Sequence, residues 1–119
     1  MYMSELKIRH VFIYKNYFLE FFEKQNQKVK DKIIWTIKVI ETIDKIPAEY
    51  FKHLEGTNGL YEIRVQIGNN IFRIFCFFDE GKWVVITNVF RKKTQKTPKR
   101  EIEKALKIKK EYESEKSDF

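Results

Sequence analysis

The stretch LYEIRVQIGNNIFRIFCFFDEGKWVVITNVF, Leu60 through Phe90, decides the fold. Three runs rich in β-branched and aromatic residues (60–67, 71–78 and 83–90) are separated by Gly68-Asn69-Asn70 and Asp79-Glu80-Gly81. Glycine and asparagine tolerate the positive φ angles of tight hairpin turns, so this pattern predicts an antiparallel meander of three strands. Successive strand residues point to opposite faces. In the first run Tyr61, Ile63, Val65 and Ile67 therefore oppose Glu62, Arg64 and Gln66. In the second, Phe72, Ile74, Cys76 and Phe78 oppose Ile71, Arg73, Phe75 and Phe77.

Upstream, residues 6–13 begin with alternating Leu6/Ile8 and Lys7/Arg9 and predict a first strand. The period then changes: Tyr14, Tyr17, Phe18, Phe21 and Phe22 recur at helical spacing. After Gln25-Asn26-Gln27, Val29, Ile33, Ile37 and Ile40 form one helical stripe, with Trp35, Val39, Ile43 and Ile46 beside it, predicting a helix with a wide buried face that ends at Pro47. Thr57-Asn58-Gly59 reads as a turn before the meander. Downstream, Thr97 reads as an N-cap with Pro98 at the first helical position, and Ile102, Ala105, Leu106 and Tyr112 share a face of the last helix. The order is β-α-α-β-β-β-α. An α+β class follows, an antiparallel sheet packed by helices on one face.

Composition and charge narrow the function. Hydrophobic residues make up 43% of the 119, with 19 aromatics, which excludes a disordered basic tail. No apolar run approaches the roughly 20 residues that span a bilayer. The N-terminal region carries Glu5, Lys7 and Arg9 and lacks the apolar core of a signal peptide, so a cytoplasmic protein is expected. One cysteine and two histidines leave little for a soft metal site, and no metal or cofactor is expected. The formal charge of +7 is unevenly laid out. Residues 1–90 carry +2, residues 91–110 carry +8 and the last nine carry −3. Such a block fits a polyanion partner, and equally a solvated helix face. The chain reads as one domain over 1–119, with 112–119 a frayed acidic tail that includes Glu113, Glu115 and Asp118.

Arg73 is the odd residue of the meander, flanked by Phe72 and Ile74 with Phe75 and Phe77 beyond. A guanidinium on an apolar strand must reach solvent, a carboxylate or a bound anion. Glu62 is one such carboxylate; a phosphodiester shared with Arg64 is the other reading, because each guanidinium donates two parallel hydrogen bonds to phosphate oxygens. The last strand runs through Asn88 and Phe90 into Arg91-Lys92-Lys93 and Lys96. Charges there would hold phosphates while Phe90 offered a base a stacking surface. His10, His53 and the apolar-flanked Cys76 have no telling spacing.

Several motifs together carry a family resemblance: Gly59-Leu60-Tyr61-Glu62-Ile63-Arg64, Phe72-Arg73-Ile74-Phe75, Phe90-Arg91-Lys92-Lys93-Thr94-Gln95-Lys96-Thr97-Pro98 and Glu101-Ile102-Glu103-Lys104-Ala105. Over about residues 6–112 the sequence resembles the phage-derived, HigB-like branch of the RelE/ParE toxin superfamily. The resemblance implies the toxin of a type II toxin–antitoxin pair, a ribosome-dependent endoribonuclease acting on mRNA through the substrate's own 2′-hydroxyl without a metal. It implies a helix-turn-helix antitoxin, the ribosome and mRNA as partners. Arg64 and Arg73 match its strand arginines and join Lys93 as the catalytic candidates, with a lysine of the 92–96 cluster or a pKa-shifted neighbour moving the protons. Lys92, Lys93 and Lys96 match its basic run, and Phe90, Arg91, Lys92, Lys96, Lys99 and Arg100 are the candidate RNA-binding residues. Where some relatives carry a tyrosine, histidine or aspartate at the end of the last strand, Phe90-Arg91 stands here. A ParE-like gyrase inhibitor, a non-catalytic basic module for ribosome or nucleic acid, and a decayed copy that keeps only antitoxin binding are the competing readings.

Overall fold

The computed structural model describes residues 6–117; Glu5 and Asp118 lie outside the described residues. The elements are β1 (His10–Ile13), α1 (Tyr17–Glu23), α2 (Gln27–Thr42), β2 (Phe51–His53), β3 (Leu60–Ile67), β4 (Asn70–Asp79), β5 (Trp83–Lys92) and α3 (Lys99–Ser117). They build a five-stranded sheet in the order β1-β5-β4-β3-β2. β1 runs parallel to β5, and the other pairings are antiparallel. The α+β class and the three-strand meander are as the alternation predicts. β2 is the addition: three residues are too few to show a period, and the strand exists because Phe51, Lys52 and His53 pair with Ile63, Glu62 and Tyr61.

The helices cover both faces of the sheet, which corrects the expectation of a single covered face. On one face Phe18 of α1 and Val29, Ile33 and Ile40 of α2 pack on Ile63, Val65, Phe72, Ile74, Cys76, Val84, Ile86 and Val89. On the other, Ala105 and Ile108 of α3 pack on Leu60, Phe75, Phe77, Val85 and Phe90. The reason lies in β4, where Phe72, Ile74 and Cys76 alternate with Phe75 and Phe77 and all are buried. A strand apolar on both faces needs two covers.

Local boundaries also moved. β1 starts at His10, because the amides of Ile8 and Arg9 both donate to the Glu41 carbonyl at the end of α2. α2 opens with Asn26 Oδ1 accepting from the Val29 amide at 3.0 Å, an N-cap. It ends at Thr42, short of Pro47, where the Arg9 guanidinium donates to the carbonyls of Ile40, Ile43 and Asp44 at 3.0, 2.8 and 2.7 Å. A cation there satisfies carbonyls that have no helical partner and complements the helix dipole. Of the two predicted stripes on α2, only the one through Val29, Ile33 and Ile40 is buried. Trp35 is 46% exposed, its ring beside Tyr50 and under the Lys32 ammonium.

Residues 112–117 are not a frayed tail: α3 continues to Ser117 and is tied down along its last turns. Tyr14 and Tyr17 donate to Glu115 and Glu111 at 2.7 and 2.9 Å, and Lys15 reaches both carboxylates. Tyr112 donates to Asp79 at 2.6 Å, while Lys116 pairs with Asp79 and Glu80. Glu111 and Glu115 thus have specific partners in the β1–α1 connection and the start of α1, while Tyr112 and Lys116 are held by Asp79 and Glu80 at the β4–β5 turn.

Two measurements check this packing. Ile33→Ala should cost about 2–5 kcal/mol in urea unfolding, because Ile33 is fully buried. Ile34→Ala, beside it but 47% exposed, should stay within about 0.5 kcal/mol. The clasp on α3 should also be pH-dependent. Asp79 and Glu115 are held below their ordinary carboxylate values, chiefly by hydrogen bonds from Lys116 and Lys15 respectively. A depressed carboxylate stabilises the fold above its unfolded pKa, and that contribution disappears as pH falls through the folded value. Tyr14 and Tyr112 are pushed up to about 12, mainly by burial, so their contribution is complete below about pH 10 and lost as pH climbs toward 12. Hydrogen exchange over residues 110–117, corrected for intrinsic rates, should therefore accelerate below about pH 4 and above about pH 10. A flat profile would sink the clasp.

Candidate nucleic-acid interface

The site grows out of the β3–β4 register, which sets Arg64 directly opposite Arg73 and Glu62 opposite Phe75. All four side chains share the face that α3 covers at Leu60, Phe75 and Phe77. Arg64 and Arg73 lie farther along that face, and there the sheet opens. Arg73 is 7% exposed, Arg64 more open, and Glu62 5% exposed. Glu62 Oε2 sits 3.1 Å from Arg64 Nε and 3.3 Å from Arg73 Nε. The carboxylate reading of Arg73 is therefore realised, with one carboxylate serving two arginines. Both Nε atoms are buried, and neither N–H is aligned for a hydrogen bond. Arg73 Nη1 donates to the Phe72 carbonyl at 3.2 Å and Arg64 Nη1 to the Ala48 carbonyl at 3.4 Å.

β5 delivers the third cation by an irregularity. Ile74 pairs with Val89, yet Cys76 pairs with Ile86, so β5 carries an extra residue around Thr87–Asn88. Such a bulge reverses the alternation beyond it. Val85 and Phe90 consequently share the α3 face, and Lys92, opposite Ile71, follows Phe90 onto it. The bulge is held by Thr87 donating to the Phe75 carbonyl and by Asn88 donating to the Glu101 carbonyl and carboxylate. Burial lowers the pKa of Lys92, and the neighbouring Arg73 charge lowers it further. Arg73 is lowered too, by burial first and then by Arg64. Cations crowded this way favour a bound anion.

Two adjoining clefts follow. One of about 520 Å³ is lined by Arg64, Asn69, Ile71, Arg73, Lys92, Lys93, Thr94 and Gln95. The other, about 350 Å³, is lined by Lys52, His53, Leu54, Glu55, Glu62, Arg64, Lys92, Lys96 and Thr97. Arg64 and Lys92 wall both, which makes one basic furrow. Among the described residues no three His, Cys, Asp or Glu side chains cluster as metal ligands would. Among the described residues no helix is long and apolar enough to cross a membrane.

The sequence model of the family described as phage derived protein Gp49-like (DUF891) matches residues 20–110. The chain belongs to this family. The match covers both main helical layers, the meander and the furrow. Membership in the Gp49-like family is compatible with a toxin of a toxin–antitoxin pair. No curated protein matches the chain significantly.

Within this Gp49-like fold the residues singled out from sequence separate into groups. Arg64, Arg73, Lys92, Lys93 and Lys96 converge on the furrow. Phe90 does not: it is 8% exposed and its ring packs on Phe75, with centroids 5.4 Å apart. It is core, not a stacking surface, because the bulge turns it under α3. Arg91 is paired with Phe72, so it lies on the opposite face, where it donates to Asn70 Oδ1. Lys99 and Arg100 begin α3, and Arg100 joins Lys104, Lys107 and Lys110 along its outer side, outside both clefts. Sequence reasoning missed Lys52, which faces Glu62 only because β2 exists. The role of Glu62 was half visible in the face it shares with Arg64 and in its candidacy as the carboxylate partner of Arg73. His53 lines a cleft, but its ring packs edge-on against Tyr61, 5.1 Å away. Cys76 is fully buried, and burial pushes its thiol well up.

Proposed function

We propose that the protein is the toxin of a type II toxin–antitoxin pair and cleaves mRNA on the ribosome. The observation that carries this reading is the convergence of Arg64, Arg73 and Lys92 on one open furrow. Family membership supports the toxin assignment. A phosphodiester seated there would meet two guanidiniums able to stabilise charge on its non-bridging oxygens. The 2′-hydroxyl of the preceding ribose attacks phosphorus, and the bond to the 5′ oxygen breaks. The products are a 2′,3′-cyclic phosphate and a free 5′-hydroxyl. One proton leaves the 2′-oxygen and one reaches the departing 5′-oxygen. Lys92 is the better placed base, being half-buried and lowered in pKa, while Lys93 is exposed at the cleft wall and suits phosphate binding. A helix-turn-helix antitoxin would silence the toxin in the cytoplasm.

The test is expression followed by mapping of mRNA 5′ ends, then cleavage on purified programmed ribosomes. The parent should produce cuts with 5′-hydroxyl ends. Arg64→Ala and Arg73→Ala should each slow cleavage by about 100- to 1,000-fold, as loss of an oxyanion donor does. Arg91→Ala should cleave near the parent rate, since its side chain lies on the other face. Double-strand DNA breaks with intact mRNA would instead indicate a gyrase poison. Salt-sensitive RNA binding without cuts would indicate a non-catalytic module.

A pH profile tests the base. A lysine that must be neutral gives a rate that rises with pH until its pKa, which here lies below the ordinary 10.5. The rate should climb between about pH 6 and pH 9. Lys92→Arg, permanently protonated, should lose that rise along with most activity. A pH-independent rate with active Lys92→Arg would remove Lys92 from proton transfer.

A further inference from the structure

We infer that Glu62 is a positioning residue for the arginine pair, holding the inner edges of Arg64 and Arg73 so that both outer edges address one phosphate. The inference rests on the RNA-cleavage reading and deepens it. Arg64 and Arg73 are direct cross-strand partners. Like charges in that position repel and would splay apart. Glu62 lies on the same face, two residues before Arg64, and its side chain is 7% exposed, so its field is little screened.

The geometry separates this role from an ordinary ion pair. A free arginine–carboxylate pair commonly adopts a bidentate fork with parallel hydrogen bonds. Here a single oxygen, Oε2, approaches both arginines at Nε. Each Nη1 is directed to a backbone carbonyl, of Phe72 for Arg73 and of Ala48 for Arg64. Neither Nη2 donates to a described residue, and those are the groups left for a ligand. Glu62 also reduces the charge of the pair from +2 to +1, which tempers ground-state attraction for RNA while preserving the paired donors. Charge and alignment are therefore separable by substitution.

The experiment compares the parent, Glu62→Gln and Glu62→Asp. Cleavage is read on programmed ribosomes, and binding with a short single-stranded RNA whose cut-site 2′-hydroxyl is replaced by hydrogen. Glu62→Gln should lower kcat by about 100-fold, the scale of a 1 Å misplacement. It should bind that RNA as tightly as the parent or more so, its log-affinity against log-salt slope steeper by about 0.7. Glu62→Asp retains the charge on a shorter arm, so it should keep the parent salt slope with an intermediate kcat. In the parent, NMR should resolve slowly exchanging Nε–Hε signals for Arg64 and Arg73, and Glu62→Gln should broaden both by faster exchange with water. Parent-level kcat in Glu62→Gln overturns the proposal. So does a joint loss of affinity and kcat with a lowered Tm, which marks Glu62 as a residue of the fold only. Should Glu62→Gln not fold, Glu62→Asp decides by the same split of kcat from affinity. Should the parent leave RNA intact, the cleavage reading fails by itself, and Nε–Hε signals broadened by fast exchange with water in the parent would then overturn the positioning of the pair.

Discussion

The central strand β4 must hide apolar side chains on both faces while carrying one guanidinium, and the architecture answers to that demand. Phe72, Ile74 and Cys76 are covered by α1 and α2, and Phe75 and Phe77 by α3. Arg73 shares the face of Phe75 and Phe77. Covering it with an apolar helix would strand a charge, at a cost far above anything the contact could return. α3 instead covers the face next to Arg73, whose buried side chain lies against Glu62 and lines the furrow that begins there.

How far α3 covers the sheet is decided at its ends. Its first turn meets the β5 bulge through Asn88 and Glu101. Its last turns are held by Tyr14, Tyr17, Lys15 and Asp79. A helix secured at both ends cannot slide toward Arg73 without breaking hydrogen bonds there. Glu111 and Glu115 therefore serve packing, bound to Tyr14, Lys15 and Tyr17. The +8 segment is divided in turn: Lys92, Lys93 and Lys96 line the furrow, while Arg100, Lys104, Lys107 and Lys110 lie along the outer side of α3.

Within the furrow, one carboxylate and two arginines form an unequal set. Glu62 offsets one charge, and the excess is shared with Lys92, whose ammonium is disfavoured by the same burial that buries Arg73. An anion entering such a site relieves repulsion that the folded chain otherwise bears. Preorganised donors of this kind stabilise developing charge without reorganising, which is why the arrangement suits phosphoryl chemistry.

What the sequence determined by itself was whatever a local period can encode. The three strands of the meander follow from alternation and turn residues. The buried stripe of α2 and the shared face of Glu62, Arg64 and Gln66 follow the same way. Periodicity is blind to anything defined by a partner. β2 is three residues long and exists only through β3; the placement of α3 across the sheet from α1 and α2 depended on Phe75 and Phe77 being buried; the tail was fixed by side chains up to about a hundred residues away in the chain. The bulge is the sharpest case. One extra residue in β5, invisible to strict alternation, sent Phe90 into the core, turned Arg91 away and brought Lys92 beside Arg73. A side chain's type is written in the sequence, but the face it occupies is settled by the pairing of its strand, and pairing is a tertiary fact.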